Sequence, residues 1–352
     1  MENATRKKAA TISDIAKAAN TSIATVSRVL SDSDYPVSAA MRERVKQTAK
    51  EFNYSPNLLG RMLKRNETRD IGVIVPTIQN PFYTEVLIGI EMEAKKYGYD
   101  ILLYNSFRNV KAERRHIKKL CQKQVKGIII SSVDSNPAAL AEFIQTGGNV
   151  VLFDQDADFP GCIKIKFDFI KASQMAVEYL ITMGHENIAF LSSPLIIKSR
   201  RDNLEGYKQA LAAHNIRMIP ENILVSEEEL DIENGMYEFE NGKELAKQFI
   251  SLEKRPTAIF TINDITAFGI IQQLSANGIS VPEEVSVIGF DNIEISKMIN
   301  PPLTTVNQPS YETGKIAGKL LIDAFGEKTM NNSITVYLDP SVIIRNSVKK
   351  IK

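Results

Sequence analysis

The sequence predicts a small all-α head followed by a larger α/β core built on parallel sheets. Residues 11–30 contain two short amphipathic segments joined by a tight turn, which is typical of a helix-turn-helix. From residue 70 onward, short apolar runs alternate with helical stretches, and this alternation favours parallel strands with right-handed crossovers. A chain of 352 residues is long enough for a small domain and one or two larger ones.

The first two predicted helices each have a capping residue and an apolar stripe. Thr11 can cap the first helix and Ser22 the second, because their hydroxyls can accept from unpaired backbone N–H groups. Asn20 lies in the turn between them, where asparagine tolerates the left-handed conformation. The stripes consist of Ile12, Ile15, Ala16 and Ala19 in the first helix, and Val26, Val29 and Leu30 in the second.

A third helix should complete the head. Ser38 can cap a helix that runs to about Asn53. Its apolar face consists of Met41, Val45, Ala49 and Phe52, and its other face carries Arg42, Arg44, Lys46 and Lys50. These basic side chains could touch phosphates, or they could simply form a solvated helix face.

The charges are unevenly distributed along the chain. The formal net charge is only +1, but residues 1–69 contain 13 Lys/Arg against 7 Asp/Glu, and the remainder contains 30 against 35. A basic module on an acidic body is the electrostatic pattern expected of a nucleic-acid-binding head. No apolar run reaches membrane-spanning length, and the charged N-terminus lacks the apolar segment of a signal peptide, so we expect a cytoplasmic protein. Cys121 and Cys162 have no CxxC partner, which predicts neither a zinc site nor a disulfide framework.

The core pattern predicts seven strands and six helices. The strands are 71–75, 101–104, 127–130, 150–153, 188–191, 258–261 and 285–288, and the helices are 82–97, 112–124, 171–183, 204–214, 242–252 and 265–277. Seven strands could form one wide sheet or two of similar size.

Polar residues interrupt the apolar pattern at the carboxyl ends of these strands, where open α/β sheets bind ligands. They are Asn80 with Phe82, Asn105, Asp154, Asn263 with Asp264, and Asp291. Carboxylates and amides suit a polyhydroxylated ligand such as a sugar, and an aromatic ring can stack on it. Each of the Asn and Asp residues could instead cap the following helix, as Asp264 could before Ile265. We favour Asp291 most and Asp264 least as ligand contacts.

The sequence gives little support for an enzymatic function. The chain has no GxGxxG, GxxxxGK[ST] or GxSxG motif, and His116, His185 and His214 are scattered without a recognisable metal or nucleophile partner. No catalytic residue, metal or cofactor is therefore predicted. His185, after Met183 and Gly184, fits a helix-ending turn. A transport receptor of similar fold would need a signal peptide and would not carry a basic head.

The motifs along the chain resemble those of the LacI/GalR family of bacterial transcriptional regulators. The head matches in Thr11-Ile12-x-Asp14-Ile15-Ala16, Ser22-x-x-Thr25-Val26-Ser27-Arg28-Val29-Leu30, Val37-Ser38, Arg44-Val45 and Tyr54-Ser55-Pro56-Asn57. The core matches in residues 71–76, Asn80-Pro81-Phe82, Asn263-Asp264, Gly289-Phe290-Asp291 and residues 302–306. Asn20 stands where the family usually has glycine.

The resemblance implies a helix-turn-helix DNA-binding domain (1–55), a hinge (56–69) and an effector-binding and dimerisation core (70–352). The core would consist of two doubly wound parallel-sheet lobes, like type I periplasmic binding proteins, with the chain crossing between lobes near 155–170 and 290–300. In the family the hinge is a helix that binds the minor groove, which assigns Asn57, Arg61 and Leu63 to DNA contact. The alternative is an ordinary linker whose leucines pack on the core.

The resemblance also suggests how the head reads DNA as a homodimer on a near-palindromic operator. Ile23 and Ala24, at the start of the second helix, could contact thymine methyl groups, whereas Arg28 could pair with a guanine. Phosphate contacts are expected from Ser22, Thr25 and Ser27, and Thr11 is also expected to contact DNA. Alternatively, Ile23 packs inward, since it lies three residues before Val26.

In the core, Asp154, Asn263 and Asp291 match effector-contacting positions of the family. Asn203 replaces the arginine that most often holds the effector, so a ligand clamped there through a carboxylate or phosphate is disfavoured unless Arg201 substitutes. The resemblance implies a repressor whose DNA binding is controlled allosterically by a sugar-like ligand. An activator, or a regulator gated by a partner protein, is the alternative.

Overall fold

The structure is a computed structural model, which describes residues 10–31, 35–54, 68–154, 161–227, 237–326 and 334–351. The chain divides into two compact units, Met1–Glu67 and Thr68–Lys352. We call the first unit the head and the second the core, and describe each by itself.

The head contains the three predicted helices, α1 (Ile12–Ala18), α2 (Ile23–Leu30) and α3 (Ala39–Glu51). The predicted caps are all confirmed: the Thr11, Ser22 and Ser38 hydroxyls accept from the backbone N–H groups three residues later. Asn20 adopts a left-handed φ of 51°, as the turn requires. These local signals therefore fix where each helix begins and how α1 turns into α2.

The predicted stripes form the small core of the head, with one exception. Its buried members are Ile15, Ala16, Ala19, Val26, Val29, Val45 and Ala49. Phe52 was predicted to close this core, but it is 46% exposed. The reason is that α3 ends at Glu51, so Phe52 leaves the helical register, and Tyr54 packs against the core instead.

The core contains twelve strands and eight helices among the described residues. The strands are β1 (Asp70–Val75), β2 (Asp100–Asn105), β3 (Gly127–Ile130), β4 (Asn149–Phe153), β5 (Ile163–Phe167), β6 (Ile188–Ser192), β7 (Ile223–Val225), β8 (Ala258–Thr261), β9 (Ser286–Asp291), β10 (Thr304–Asn307), β11 (Thr335–Leu338) and β12 (Ser341–Ile343). The helices are α4 (Pro81–Lys96), α5 (Val110–Gln122), α6 (Ala138–Gln145), α7 (Phe169–Thr182), α8 (Lys198–Ala213), α9 (Tyr237–Ile250), α10 (Asp264–Ala276) and α11 (Ser310–Ala324).

These strands form two six-stranded sheets, so the core has two lobes. The N-lobe sheet has the order β11-β5-β4-β3-β1-β2, and the C-lobe sheet has the order β12-β10-β9-β8-β6-β7. All pairings are parallel except the antiparallel pair of β10 and β12 at one edge. In both lobes the first strand of the chain lies inside the sheet beside the second and third, which is the doubly wound arrangement. The predicted fold class is confirmed, with two sheets rather than one wide sheet.

Between the strands and helices that the structure describes, the chain crosses from one lobe to the other three times. The first crossing follows β5 at Asp168, within the predicted range. The second was predicted near 290–300, which is wrong: β10 pairs with β9 in the C-lobe, so the chain crosses only at Gln308 and Pro309. A third crossing at Asp339 and Pro340, between β11 and β12, was not predicted.

After the second crossing, α11 returns to the N-lobe and packs closely against α4. A Cβ atom on Gly314 would lie 2.0 Å from the carbonyl oxygen of Val86, and one on Gly89 would lie 2.3 Å from that of Tyr311. Only glycine permits backbones to approach this closely. No helix within the described residues is long and apolar enough to cross a membrane.

Candidate nucleic-acid interface and ligand cleft

The outer face of α2 is the candidate nucleic-acid interface. Val26 and Val29 are fully buried, whereas Ile23, Ala24 and Arg28 are exposed on the opposite side. Ile23 does not pack inward: 51% of its surface is accessible. An exposed branched apolar side chain at the start of a helix is available for contact with another molecule.

Of the hydroxyl residues predicted to contact DNA, Thr11, Ser22 and Thr25 lie at helix starts and Ser27 lies in the middle of α2. The Ser22 hydroxyl accepts from the Thr25 backbone N–H at 3.1 Å and lies 2.9 Å from the Thr25 hydroxyl. The Thr11 hydroxyl donates to Asp14 at 2.7 Å. Ser27 is partly exposed on the outer side of α2. Thr11, Ser22 and Thr25 thus organise the starts of the two helices, and all four hydroxyl residues remain at least partly accessible to solvent. Asn57, Arg61 and Leu63 lie outside the described residues.

A cleft between the two lobes is the candidate ligand site. Six of the seven predicted ligand-binding residues line it, namely Asn80, Phe82, Asp154, Asn203, Asn263 and Asp291. They come from both lobes and surround a cavity of about 60 Å³. The carboxyl ends of the two sheets therefore bring these distant residues together, as the strand pattern predicted.

On the N-lobe side, polar and aromatic side chains support one another. Asn80 caps α4 through a 2.9 Å bond from the Phe82 N–H to its side-chain oxygen, and its amide donates to Glu238 at 3.0 Å. The Phe82 ring meets the Tyr83 ring edge to face at 5.1 Å. The Tyr83 hydroxyl donates to Asp154 at 2.9 Å. The aromatic wall and the Asp154 carboxylate are thus fixed relative to each other.

Burial dominates the protonation of Asp154. Removal from water raises the pKa of this carboxyl to about 6, although hydrogen bonds from Tyr83 and Gln308 favour the charged form. The pKa of Tyr83 is also raised well above its ordinary value, first by burial and then by the neighbouring Asp154 charge. This corner of the cleft can therefore both donate to and accept from a ligand.

On the C-lobe side, two amides and one carboxylate face the cleft. Asn263 caps α10 by accepting from the Thr266 N–H at 2.7 Å. The Asn203 side-chain oxygen accepts from Ser173 at 2.9 Å, which fixes the orientation of its amide. Both predicted ligand residues are therefore held in place by the protein before a ligand arrives.

Asp291 lies at the end of β9 with a left-handed φ of 111° and only 7% of its surface exposed. Burial raises its pKa well above the ordinary value, and the carboxylates of Asp264, Glu238 and Asp154 add to this shift. A hydrogen bond with Asn80 opposes it. A strained backbone and a buried carboxyl surrounded by like charges are typical of a functional position.

Asp264 differs from its neighbours because the protein satisfies its carboxylate. It accepts from the Ile293 N–H at 3.0 Å and from the Ser296 and Thr305 hydroxyls, both at 2.5 Å. A Cβ on Gly289 would lie 2.3 Å from one of its oxygens, so glycine makes room for it. Asp264 is not the cap of α10, because Asn263 fills that role. Burial nevertheless raises the pKa of Asp264 to about 7.

Arg201, which was predicted as a substitute for the missing arginine, lies outside the cleft. Its guanidinium donates to the carbonyls of Leu195 and Ile196 on an exposed stretch and does not line the cleft. Arg200 lines the cleft instead, with 3% of its surface exposed and a 2.8 Å bond to the Pro194 carbonyl. Helix α8 begins at Lys198, earlier than predicted, and this places Arg200 rather than Arg201 inward.

An ion pair across the cleft was also not predicted. Arg108 follows β2 in the N-lobe and donates to Glu238 of α9 in the C-lobe at 3.1 Å. Both side chains are about nine-tenths buried. The burial of these two residues could not be predicted from the sequence, because Arg and Glu are mostly surface residues. The pair links the two lobes next to the predicted ligand residues.

Comparison with known proteins agrees with this two-part architecture. Residues 11–57 match the family model for bacterial regulatory proteins of the lacI family, and residues 68–341 match that for periplasmic binding proteins and the sugar binding domain of the LacI family. The HTH-type transcriptional repressor PurR of Vibrio parahaemolyticus is 33% identical over 344 residues, which cover 97% of this chain and 99% of that protein.

Two solved structures share the fold. The lac repressor dimer bound to operator and the anti-inducer ONPF has a TM-score of 0.81 at 26% identity, covering 97% of this chain and 100% of that one. A LacI family transcriptional regulator from Enterococcus faecium with bound ribose has a TM-score of 0.71 at 26% identity, covering 80% of this chain and 100% of that one. The chain is therefore a DNA-binding transcriptional regulator with an effector-binding core, and it belongs to the LacI family of bacterial regulatory proteins.

Proposed function

We propose that this protein is a repressor whose operator binding is controlled by a small hydroxylated ligand in the cleft between the lobes. The observation that carries the proposal is the ring of buried carboxylates and amides from both lobes, in a chain that also carries a helix-turn-helix head. A ligand that bonds both lobes would favour one lobe orientation over others. A coupling of about 1 to 3 kcal/mol to the head is sufficient to alter operator occupancy.

The chemistry of the cleft favours a sugar or sugar derivative. Asp154 and Asp291 offer carboxyl oxygens to hydroxyl groups, while Asn80, Asn203 and Asn263 offer amides. Phe82 provides a ring on which the apolar face of a sugar can stack. The bound ribose in the similar Enterococcus faecium regulator supports this ligand class.

On DNA, we propose that a homodimer places two α2 helices in successive major grooves of a near-palindromic operator. Ile23 and Ala24 would contact thymine methyl groups and Arg28 a guanine, while Thr11, Ser22, Thr25 and Ser27 would contact phosphates. Asn57, Arg61 and Leu63 would bind the minor groove. The lac repressor dimer bound to operator supports this arrangement.

The proposed action is binding rather than catalysis, and it takes place in the cytoplasm, where chromosomal DNA is accessible to a bacterial regulator. The relatives compared above are repressors, which favours repression over activation. A regulator gated by a partner protein is the second candidate, and it would respond to the partner but to no sugar.

Fluorescence anisotropy with labelled duplex from upstream of the protein's own gene tests the proposal. The full-length protein is titrated at fixed salt in the presence of a panel of sugars and sugar acids. At least one compound should change the operator Kd by about 5- to 150-fold. Asp291→Asn should bind the operator normally but lose this response, because the variant changes the cleft and not the head.

Asp323→Asn is the matched control, since Asp323 lies on the surface and pairs with Lys319. It should behave like the natural protein. A normal ligand response in Asp291→Asn would remove Asp291 from the ligand site. No preference for any duplex over random competitor would overturn the proposed function as a whole.

A further inference from the structure

Helix α2 carries a single charged side chain, and an aromatic ring covers it. Between Ile23 and Leu30 the only charged residue is Arg28, in the last turn of the helix. The Tyr35 ring lies against it, with the Arg28 guanidinium carbon 3.8 Å from the ring centroid. We propose that Tyr35 is a positioning residue that holds the Arg28 guanidinium ready to bond a base edge. This inference rests on the proposed reading of DNA by α2.

Sequence discrimination by hydrogen bonding depends heavily on Arg28. The exposed residues at the start of α2, Ile23 and Ala24, can contact a thymine methyl but cannot bond a base edge. Ser22 and Thr25 are engaged with each other at the cap. Arg28 is therefore the side chain of this helix that can form two parallel bonds to the O6 and N7 atoms of guanine.

The guanidinium carbon lies 3.8 Å over the ring centroid, which is the distance of a stacked contact, and such a contact leaves the N–H edge of Arg28 available. A guanidinium stacked on a ring presents one planar face to the ring, while its N–H groups point outward in its own plane. Those in-plane N–H groups are the ones that bond a guanine. An arginine side chain has many rotamers, so holding it in one of them before binding reduces the conformational entropy lost on binding.

Tyr35 contributes little to the packing of the head. Its side chain is 50% exposed, and the buried cluster of the head is formed by residues of the three helices with Val37, Met41 and Tyr54 at its margin. The ring therefore covers Arg28 at the surface, and its removal should leave the head folded. This separation allows a positioning role to be distinguished from a structural one.

The test begins with selection of preferred duplexes from a random-sequence library by the full-length protein. Arg28→Ala then identifies the base pair at which preference depends on Arg28, through the Kd values of the selected duplex and its three single-base replacements. Tyr35→Ala should reduce the preference at that pair about two- to fivefold, the range of an exposed cation–π contact. Tyr35→Phe keeps the ring and should retain the preference, whereas Tyr35→Leu should behave like Tyr35→Ala.

Two further measurements separate positioning from a general loss of structure. The urea midpoint and the dependence of the operator Kd on salt should be unchanged in Tyr35→Ala, because neither the core of the head nor a phosphate contact is removed. In the Arg28→Ala background, Tyr35→Ala should have no additional effect on base preference.

The inference is overturned if Tyr35→Ala retains the full preference, weakens all duplexes equally, or still changes preference when Arg28 is absent. If Arg28→Ala changes no base preference while the natural protein selects defined duplexes, the assignment of Arg28 fails and the role of Tyr35 with it. If the natural protein selects no duplex, the proposed function fails first.

Discussion

In the head, the side chains proposed to contact DNA lie on an exposed helix face, whereas in the core the side chains proposed to contact a ligand are almost all buried. Ile23 is 51% exposed and Arg28 is also exposed. Asn80, Asn203 and Asp291 are each less than one-tenth exposed. On both surfaces the proposed contact residues include residues at helix starts or strand ends. Only in the cleft are charged side chains buried away from water.

This difference predicts how each surface responds to substitution. An exposed polar group is already solvated, so its removal changes binding and leaves the free energy of unfolding nearly unchanged. A buried group is bonded to other buried groups, and its removal leaves their donors or acceptors unpaired. Residues of the cleft should therefore affect both ligand binding and the free energy of unfolding, whereas exposed residues of α2 should affect DNA binding alone.

The strongest test of this contrast is Asp264→Ala. Removal of this carboxylate leaves the Ile293 N–H and the Ser296 and Thr305 hydroxyls without their acceptor. The free energy of unfolding of the core should fall by about 3 kcal/mol or more. Urea unfolding of the full-length protein measures this change. Asp264→Asn keeps one acceptor oxygen, so its free energy of unfolding should fall less. An unchanged urea midpoint in Asp264→Ala would contradict the conclusion that this carboxylate stabilises the core by accepting these hydrogen bonds.

The second test uses pH to measure how far ionisation of the buried Asp154 carboxyl lowers the free energy of unfolding. Because burial raises the pKa of Asp154 to about 6, the folded state binds its proton more tightly than the unfolded state. The stability gained from the protonated form is fully present below the ordinary pKa and is lost as the pH rises through about 6.

Asp154→Asn mimics the neutral form at every pH. The unfolding free energy of the natural protein relative to this variant should therefore decrease by about 1 to 3 kcal/mol between pH 4 and pH 8. Urea denaturation of both proteins at several pH values measures the difference. Asp323→Asn serves as the surface control, and a difference that is constant or increases with pH would show that Asp154 is not held in its protonated form by burial.

The smallest expected effect on stability is on the exposed side of α2. Ile23→Ala should change the free energy of unfolding of the head by less than about 0.5 kcal/mol, but weaken operator binding. Val26→Ala, three residues along the same helix but fully buried, should destabilise the head by about 1 to 3 kcal/mol. Thermal unfolding and operator anisotropy of the two variants separate these outcomes. Equal destabilisation by both would contradict the conclusion that the exposed face of α2 contributes to binding and not to stability.

Much of the fold was predictable because the strongest signals are local. Buried central strands such as β3 and β8 are short, continuous apolar runs, and the helix caps of the head are single polar residues at fixed spacing. The missed strands β5, β7, β10, β11 and β12 are short, or polar, or both. In β5 the lysines at 164 and 166 break the apolar run, and β11 alternates between exposed and half-buried residues near a sheet edge. Such strands are defined by their partners, which the local pattern does not reveal.

The cleft shows the same division. Residues directly after central strands, such as Asp154 and Asp291, follow from the rule that ligands bind at the carboxyl ends of parallel strands. Arg108, Arg200 and Glu238 come from a loop and two helices, where a charged residue is by default at the surface. Their inward orientation depends on helix starts that lie several residues from the predicted ones, and on the approach of the opposite lobe. Neither is encoded in the local pattern.

The three crossings of the chain between the lobes have a mechanical consequence. The two sheets are connected by one polypeptide segment at Asp168 and by two further segments near Gln308 and Pro340. Three connections resist separation of the sheets, so any change in the relative orientation of the sheets must be absorbed by the backbone of these segments. A regulator with these connections can transmit the occupancy of its cavity as a change in the relative orientation of its two sheets, because a ligand that contacts both lobes favours one orientation.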